Sequence, residues 1–596
     1  MITHTVSVAD ANAHLFRVEL RIPRPAARQV ISLPVWIPGS YLIREFARHL
    51  SEMQAQQGSR RVALEQVDKT TWVAACKPGS ALTVRYLVYA FDASVRAACL
   101  DAQRGFFNGT SLFLRALGFE RETQRVVLRG LPRGWQVATT LPAVAVDNAG
   151  KGAYEAANYD ELVDHPVELG KFWRGRFIAR GIPHEFVVAG ALPDFDADRL
   201  LADTQRLCES EIDFWHGADG SGARRRVTFP RYLFMLNAVD EGHGGLEHRS
   251  STALLAARRN LPRRGETQRS DGYASLLGLI AHEYFHAWNV KRLRPAEFER
   301  YDYARENHTE LLWFFEGFTS YYDDLFLVRC GLIDSNRYLA LLGKTLSNVL
   351  ATPGRKVQSV AQASFDAWTK YYRSDENTPN ATISYYAKGS LVALALDLTL
   401  RSERRATLDD VMRELWRASG GGPISRSDIA AALQSLGRRS YAKEFAAWVD
   451  GVGELPLRPL LNEFGVEWRT QPPTLAQQLG LRVSESALTG VKVTHVLRSG
   501  AGEAAGLAAG DEILAVRPWR PRRLDDAWRL RRLDDASRVL QPGKDATLLV
   551  SRDQRVLTLR IALPKRPEAV GAPVTLKTVH KAPRAAITLR QAWLGG

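Results

Sequence analysis

Apolar and polar positions change their period twice along the chain. Residues 16–22 (FRVELRI), 30–35 (VISLPV) and 82–91 (LTVRYLVYAF) alternate or run nearly continuously apolar, with Pro, Gly and Asp between them. That pattern predicts many short strands in a β-sandwich-like unit over residues 1–168. The middle then carries helical spacing at 273–290, 311–327, 338–350 and 390–400, with shorter helical segments at 408–416 and 441–449. A buried-strand run, RYLFMLNAV at 231–239, precedes them. Strands followed by helices indicate an α+β unit, here 169–468, with one helix expected over 272–290 and the next over 309–328. Short strands return at 490–497, 511–516, 546–551 and 556–563, with helices expected at 500–507 and 524–533. These make a compact unit over 469–566, followed by a basic extension, 567–596, rich in Pro and Lys, for which partial ordering against the rest stands open. The chain is therefore expected to be multidomain α+β.

The first of the long helical segments carries His282-Glu283-Tyr284-Phe285-His286. Residues four apart share a helix face, so both imidazoles reach one ion, and Glu283 stands beside them where it can take a proton from water. Zinc in a hydrolytic site needs three protein ligands and an open position for that water, whose pKa it lowers to about 7. With 13 His and 65 acidic residues in 596, chance produces this pattern only about 0.03 times per chain. Leu276, Leu277, Leu279 and Ile280 make the segment core-like, and buried imidazoles want partners. One zinc ion per chain is the expectation.

The third ligand should come from the next helical segment, TELLWFFEGFTSYYDDL. Glu316 lies between Phe315 and Gly317 in apolar surroundings, where a metal would stabilise a carboxylate. His308, Glu310, Asp323 and Asp324 compete with it. Asp323 and Asp324 also read as a solvated face, and Glu310 as an N-terminal helix charge after Thr309.

HEYFH followed by LLWFFEGFTSYY resembles the gluzincin aminopeptidases. Here 29 residues separate His286 from Glu316, more than in the large neutral aminopeptidase family. That insert, the segments HAWNVKRLRP and PVWIPGSYLIREFARHL, and the C-terminal unit together resemble family M61, the glycyl aminopeptidases. The resemblance implies a thermolysin-like catalytic domain with His282, His286 and Glu316 as zinc ligands and Glu283 as general base. In SYYAKGS it implies an oxyanion-stabilising tyrosine, Tyr386 by its distance from Lys388-Gly389, with Tyr385 as runner-up. Gly244-Gly245-Leu246-Glu247-His248 occupies the place of a G-x-M-E-N exopeptidase block. Glycines there let substrate backbone approach, and Glu247 would meet the free α-amine of a peptide. As Leu-Glu-His replaces Met-Glu-Asn, fine specificity is left open. Residues 493–516, with A-G-L-A-A-G-D-E-I-L, resemble a PDZ domain, so a C-terminal peptide ligand or a purely structural role both stand open.

Charge alters this picture little. The net charge is +15 and the pI near 9.7, but basic residues are spread along the chain, and the densest cluster, 517–532, is interleaved with Asp525 and Asp526. No nucleic-acid module is present in the pattern, so no nucleic-acid partner is expected. Cys76, Cys99, Cys208 and Cys330 form no CxxC pair and are expected as buried free thiols. No basic n-region with an apolar h-region opens the chain, and apolar runs such as 276–280 fall short of a membrane span. The cytoplasm is the default, with the periplasm open should a mis-assigned start hide an export signal. The functional expectation is a zinc aminopeptidase acting on peptides with a free N-terminus, Gly or Ala first. The alternatives are an endopeptidase on the same scaffold, in which Glu247 is structural, and a non-catalytic PDZ adaptor.

Overall fold

Alternation of buried and part-exposed side chains in Ile2–Asp10 and Leu15–Ile22 reflects one face turned to a core. In a computed structural model of the chain these two strands pair antiparallel, with Val6 opposite Val18 and His4 opposite Leu20. The structure describes all residues except 218–226, 228, 487–489, 518–529, 531, 539, 541, 564, 566–570 and 596. The chain divides into two compact units. One comprises residues 1–307 with 329–332 and 413–425, and the other holds the remainder.

In the first unit, Ile2–Asp10 and Leu15–Ile22 sit mid-sheet among eight strands, flanked by Gln124–Leu128 and Leu82–Tyr89. Two four-stranded sheets complete this β-rich region, and one apolar core takes Val6, Phe16 and Val18 from the large sheet with Ile31, Phe107 and Leu169 from the small ones. The strands expected at 30–35 and 82–91 are observed as Arg28–Ser32 and Leu82–Tyr89. Pro34 has no amide hydrogen to continue a ladder, which ends the first of these early.

A five-stranded sheet follows, in the order Trp173–Ala179, Ile182–Ala189, Tyr232–Val239, Ser251–Ala257, His243–Glu247. The middle three are parallel, and His243–Glu247 runs antiparallel at the edge. Tyr232–Val239 is buried nearly throughout, as its continuous apolar run requires. The HEYFH helix, Asp271–Phe285, begins at Ser270, whose hydroxyl accepts the Tyr273 amide. It packs on the last two strands of the sheet.

The second unit contains the helices Leu312–Arg329, Ser335–Leu350 and Tyr385–Ser402. The helix expected at 441–449 is an α-helical turn, Ala442–Glu444, running into a π-helical one, Phe445–Val449. Further on, Leu481–Ser486, Gly490–Val496, Glu512–Arg517, Asp545–Arg552 and Arg555–Ala562 form an antiparallel sheet. It has a separate core that includes Leu479, Val493, Ile513, Leu548 and Val550. The helix expected at 500–507 is shorter, Ala501–Ala504, because Gly506 adopts a left-handed conformation, φ +80°. Most of the helix expected at 524–533 lies outside the described residues.

The final segment is more than a basic extension. Val574–Thr578 pairs with Val466–Thr470, and helix Arg584–Leu594 buries Trp593 completely. Among the described residues no helix is long and apolar enough to cross a membrane. Cys76, Cys99 and Cys208 are free and buried, whereas Cys330 is only half-buried.

Candidate metal centre and substrate site

The HEYFH helix is anchored by fully buried Leu276, Leu277 and Ile280, which fixes the face on which the histidines emerge. It ends at Phe285, five residues before the expected 290, and His286 forms its C-cap. Ala287, Trp288 and Val290 are buried in a turn instead of a helix, and the Lys291 amide donates back to the His286 carbonyl at 3.1 Å. The turn serves His286. Its Nδ1–H donates to the Asn289 carbonyl at 2.7 Å, and a neutral imidazole has one N–H, so Nε2 is left as a lone pair. That Nε2 faces the Nε2 of His282 at 3.1 Å.

Glu316 lies on Leu312–Arg329 with 2% exposure, beside the buried Phe314 and Phe315. Of its competitors, His308 and Glu310 are exposed, and Asp323 and Asp324 are half-buried. Among the described residues, the group of three donors close enough to share an ion is His282, His286 and Glu316, whose ligand atoms lie within 4.8 Å of one another. Two imidazoles and a carboxylate converging in this way suit a zinc ion.

Glu283 is 5% exposed and lies against the edge strand. A side chain at Gly245 would collide with its carboxylate, so the glycine creates the place that Glu283 occupies. Glu247, two residues along and so on the same face of the strand, is 4% exposed. Its carboxylate is backed by Gly39, where an added Cβ would lie 2.5 Å from Oε1. Gly39 has φ +91°, a conformation that favours glycine. This explains the PVWIPGSY segment, whose role the sequence pattern left blank. Gly244 points to the other face, near the Arg96 guanidinium.

The insert after His286 also has a physical account. It docks on the β-rich region through Trp36 Nε1–H to the Asp302 carbonyl at 2.8 Å, the Val35 amide to the Tyr303 carbonyl at 2.8 Å, and Tyr303 hydroxyl to Asp160 at 2.9 Å.

Helix Tyr385–Ser402 starts at Ser384, whose hydroxyl accepts the Ala387 amide. Tyr385 is fully buried, while Tyr386 is half-buried and its hydroxyl lies 3.3 Å from that of Tyr372. Burial, and next to it the negative charge of Glu316, holds the Tyr386 phenol well above its ordinary pKa of 10, so it remains an O–H donor. Gly317 and Gly389 bring these two helices together, since a Cβ on Gly317 would lie 2.6 Å from the Gly389 backbone. The glycines after Glu316 and Lys388 thus set the distance between the helices that carry Glu316 and Tyr386. Tyr372 went unnoticed because it lies in a polar loop without periodicity.

A family model described as the Peptidase M61 N-terminal domain matches residues 3–171, and one described as M61 glycyl aminopeptidase matches residues 275–392. The crystal structure of an aminopeptidase N family protein from Idiomarina loihiensis is 35% identical, covers 100% of both chains and superposes with a TM-score of 0.91. An M1 zinc metallopeptidase from Deinococcus radiodurans is 15% identical over 76% of this chain and 94% of its own, with a TM-score of 0.47. No curated protein matches. With a relative this similar over its whole length and family models on both its N-terminal and helical regions, the chain is a peptidase that belongs to the M61 glycyl aminopeptidase family.

Proposed function

We propose that the protein is an aminopeptidase that releases the first residue, Gly or Ala by preference, from peptides with a free N-terminus, with one zinc ion held by His282, His286 and Glu316. The observation that carries this reading is Glu247, a buried carboxylate on the same strand face as the contact between Gly245 and Glu283. A carboxylate in that place selects an α-ammonium, whereas an internal amide offers it no charge. The family description, glycyl aminopeptidase, supports small first residues.

Zinc, when bound, lowers the pKa of a water to about 7 and polarises the scissile carbonyl. Glu283 takes the proton of the attacking water and hands it to the leaving amine. The Tyr386 hydroxyl donates to the oxygen on which negative charge develops. Gly244 and Gly245 let the substrate backbone lie along the edge strand. The C-terminal sheet belongs to the same reading as a PDZ-like module that takes an extended C-terminal peptide by strand addition. Its A-G-L-A-A-G-D segment supports this. Gly506 and Gly510 have positive φ, and fully buried Asp511 accepts the Ala508 amide and the Arg552 guanidinium.

Glu247→Ala tests the reading against the endopeptidase alternative. Hydrolysis of a glycyl anilide should fall sharply through KM, while an N-acetylated peptide is handled as poorly as by the parent. An equal response of both substrates would sink the aminopeptidase assignment.

A further inference from the structure

Immediately after Glu247 the chain leaves the edge strand, and one carboxylate from the β-rich region holds that exit. Asp164, the C-cap of helix Tyr159–Val163, accepts Lys291 Nζ at 2.7 Å and His248 Nδ1–H at 3.2 Å on Oδ1. On Oδ2 it accepts the Arg249 amide at 3.2 Å, with the Arg249 guanidinium 3.6 Å away. His248 and Lys291 are buried, with 1% and 6% exposure. The ligand-bearing segment and the strand end that carries Glu247 are therefore tied to one atom.

Lys291 reaches this position through Val290, whose φ of +138° is a strained conformation for a β-branched residue. Burial disfavours the Lys291 ammonium, but the charges of Asp164, then Tyr301 and Glu247, raise its pKa overall. Lys291 thus feels both carboxylates, one in direct contact and the other further off.

We propose that Asp164 is a positioning residue for amine recognition: by holding Lys291, His248 and the Arg249 amide, it fixes Glu247 where the substrate's α-ammonium would meet it. The proposal rests on the aminopeptidase reading. It makes the β-rich region part of substrate selection, not only a support for the peptidase unit.

The test uses the full-length zinc-loaded protein, a glycyl anilide as substrate, and glycinamide and N-acetylglycinamide as competitors. Asp164→Asn should raise KM for the anilide and Ki for glycinamide by about tenfold or more, with kcat nearly unchanged and N-acetylglycinamide unaffected. Asp164→Glu, which keeps a carboxylate for Lys291, His248 and the Arg249 amide, should recover most of the lost glycinamide affinity. It also keeps the question open to test should Asp164→Asn fold poorly. Unchanged glycinamide affinity in Asp164→Asn, or a loss that Asp164→Glu does not relieve, overturns the proposal. Failure of the aminopeptidase reading looks different: the parent protein itself would then bind glycinamide no better than N-acetylglycinamide.

Discussion

The carboxylate of Glu283 fills the volume that a side chain at Gly245 would need. Glu283, the proposed general base, and the edge strand are consequently fitted to one another, and the smallest possible enlargement of the strand should displace the carboxylate. Gly245→Ala is expected to lower kcat by about a hundredfold, the cost of misplacing a reacting group by about 1 Å. Zinc content, measured by atomic emission, should stay near one per chain, because the ligands are not touched. A variant with parental kcat would show that the contact has no part in catalysis.

The two adjacent tyrosines should separate cleanly. Tyr386→Phe should lose about 10²–10³ in kcat, the range for removal of one oxyanion donor, with little change in KM. Tyr385 is fully buried, so Tyr385→Phe should leave kcat within about threefold. Because burial and Glu316 raise the Tyr386 pKa well above 10, its donor form persists through alkaline pH. The pH profile of kcat should show no loss traceable to this phenol below pH 10. The reverse ranking of the two variants would move the role to Tyr385.

These outcomes depend on features of unequal visibility in the sequence. Helical spacing was enough to find the segments bearing His282 and Glu316, whose apolar runs are buried on nearly every side, and it found 390–400 but not the turn before it that bears Tyr386. It could not find the end of the HEYFH helix. Ala287, Trp288 and Val290 are as buried as helix residues, and burial alone does not distinguish one more turn of helix from a packed loop. In the sequence, only the distance from Lys388-Gly389 prefers Tyr386 to Tyr385. Glu247 was visible as part of a motif, but its surroundings were not: Gly39 reaches it and Asp164 reaches the neighbouring His248 from far upstream, and no period or spacing connects them. The last helix was missed for a compositional reason. Prolines at 564, 567, 573 and 583 interrupt any period before it, and its buried side chains, Ala586, Trp593 and Leu594, are too few to draw a helical stripe.

Acid should weaken the first unit through two buried histidines. Burial lowers the pKa of His4, which outweighs its bond to Gln124, and likewise of His184, each to about 4 from an ordinary 6.5. Between those values the unfolded chain binds the proton and the native one does not. Stability is therefore full above pH 6.5 and declines as pH falls towards 4, by up to about 3 kcal/mol per histidine. Urea titrations at pH 7.5 and 5 should reveal the difference. His4→Gln, which cannot take up the proton, should reduce the pH dependence, and an unaltered slope would exclude His4 as a source.

Trp593 is the final anchor of the peptidase helices. Its Nε1–H donates to the Tyr321 hydroxyl at 3.0 Å, which donates to Asp397 Oδ2 at 2.6 Å. Asp397 Oδ1 accepts Arg401 Nε at 2.9 Å and the Leu408 amide at 2.8 Å, and Arg401 returns to the Ala592 carbonyl at 2.8 Å. Tyr321 is on the Glu316 helix and Asp397 on the Tyr386 helix, so the C-terminal helix closes a buried loop of hydrogen bonds through both. Trp593→Ala removes the indole and its donor together and should cost about 3–5 kcal/mol in denaturant titration. Trp593→Phe keeps most of the bulk and should cost nearer to 1 kcal/mol from the hydrogen bond, with an added packing term. If the loop also holds the two helices in register, Trp593→Ala should lower zinc affinity in chelator competition, although no ligand has changed. Normal zinc affinity in a folded Trp593→Ala protein would confine the C-terminal helix to stability, leaving the Gly317–Gly389 contact to set the distance between the helices.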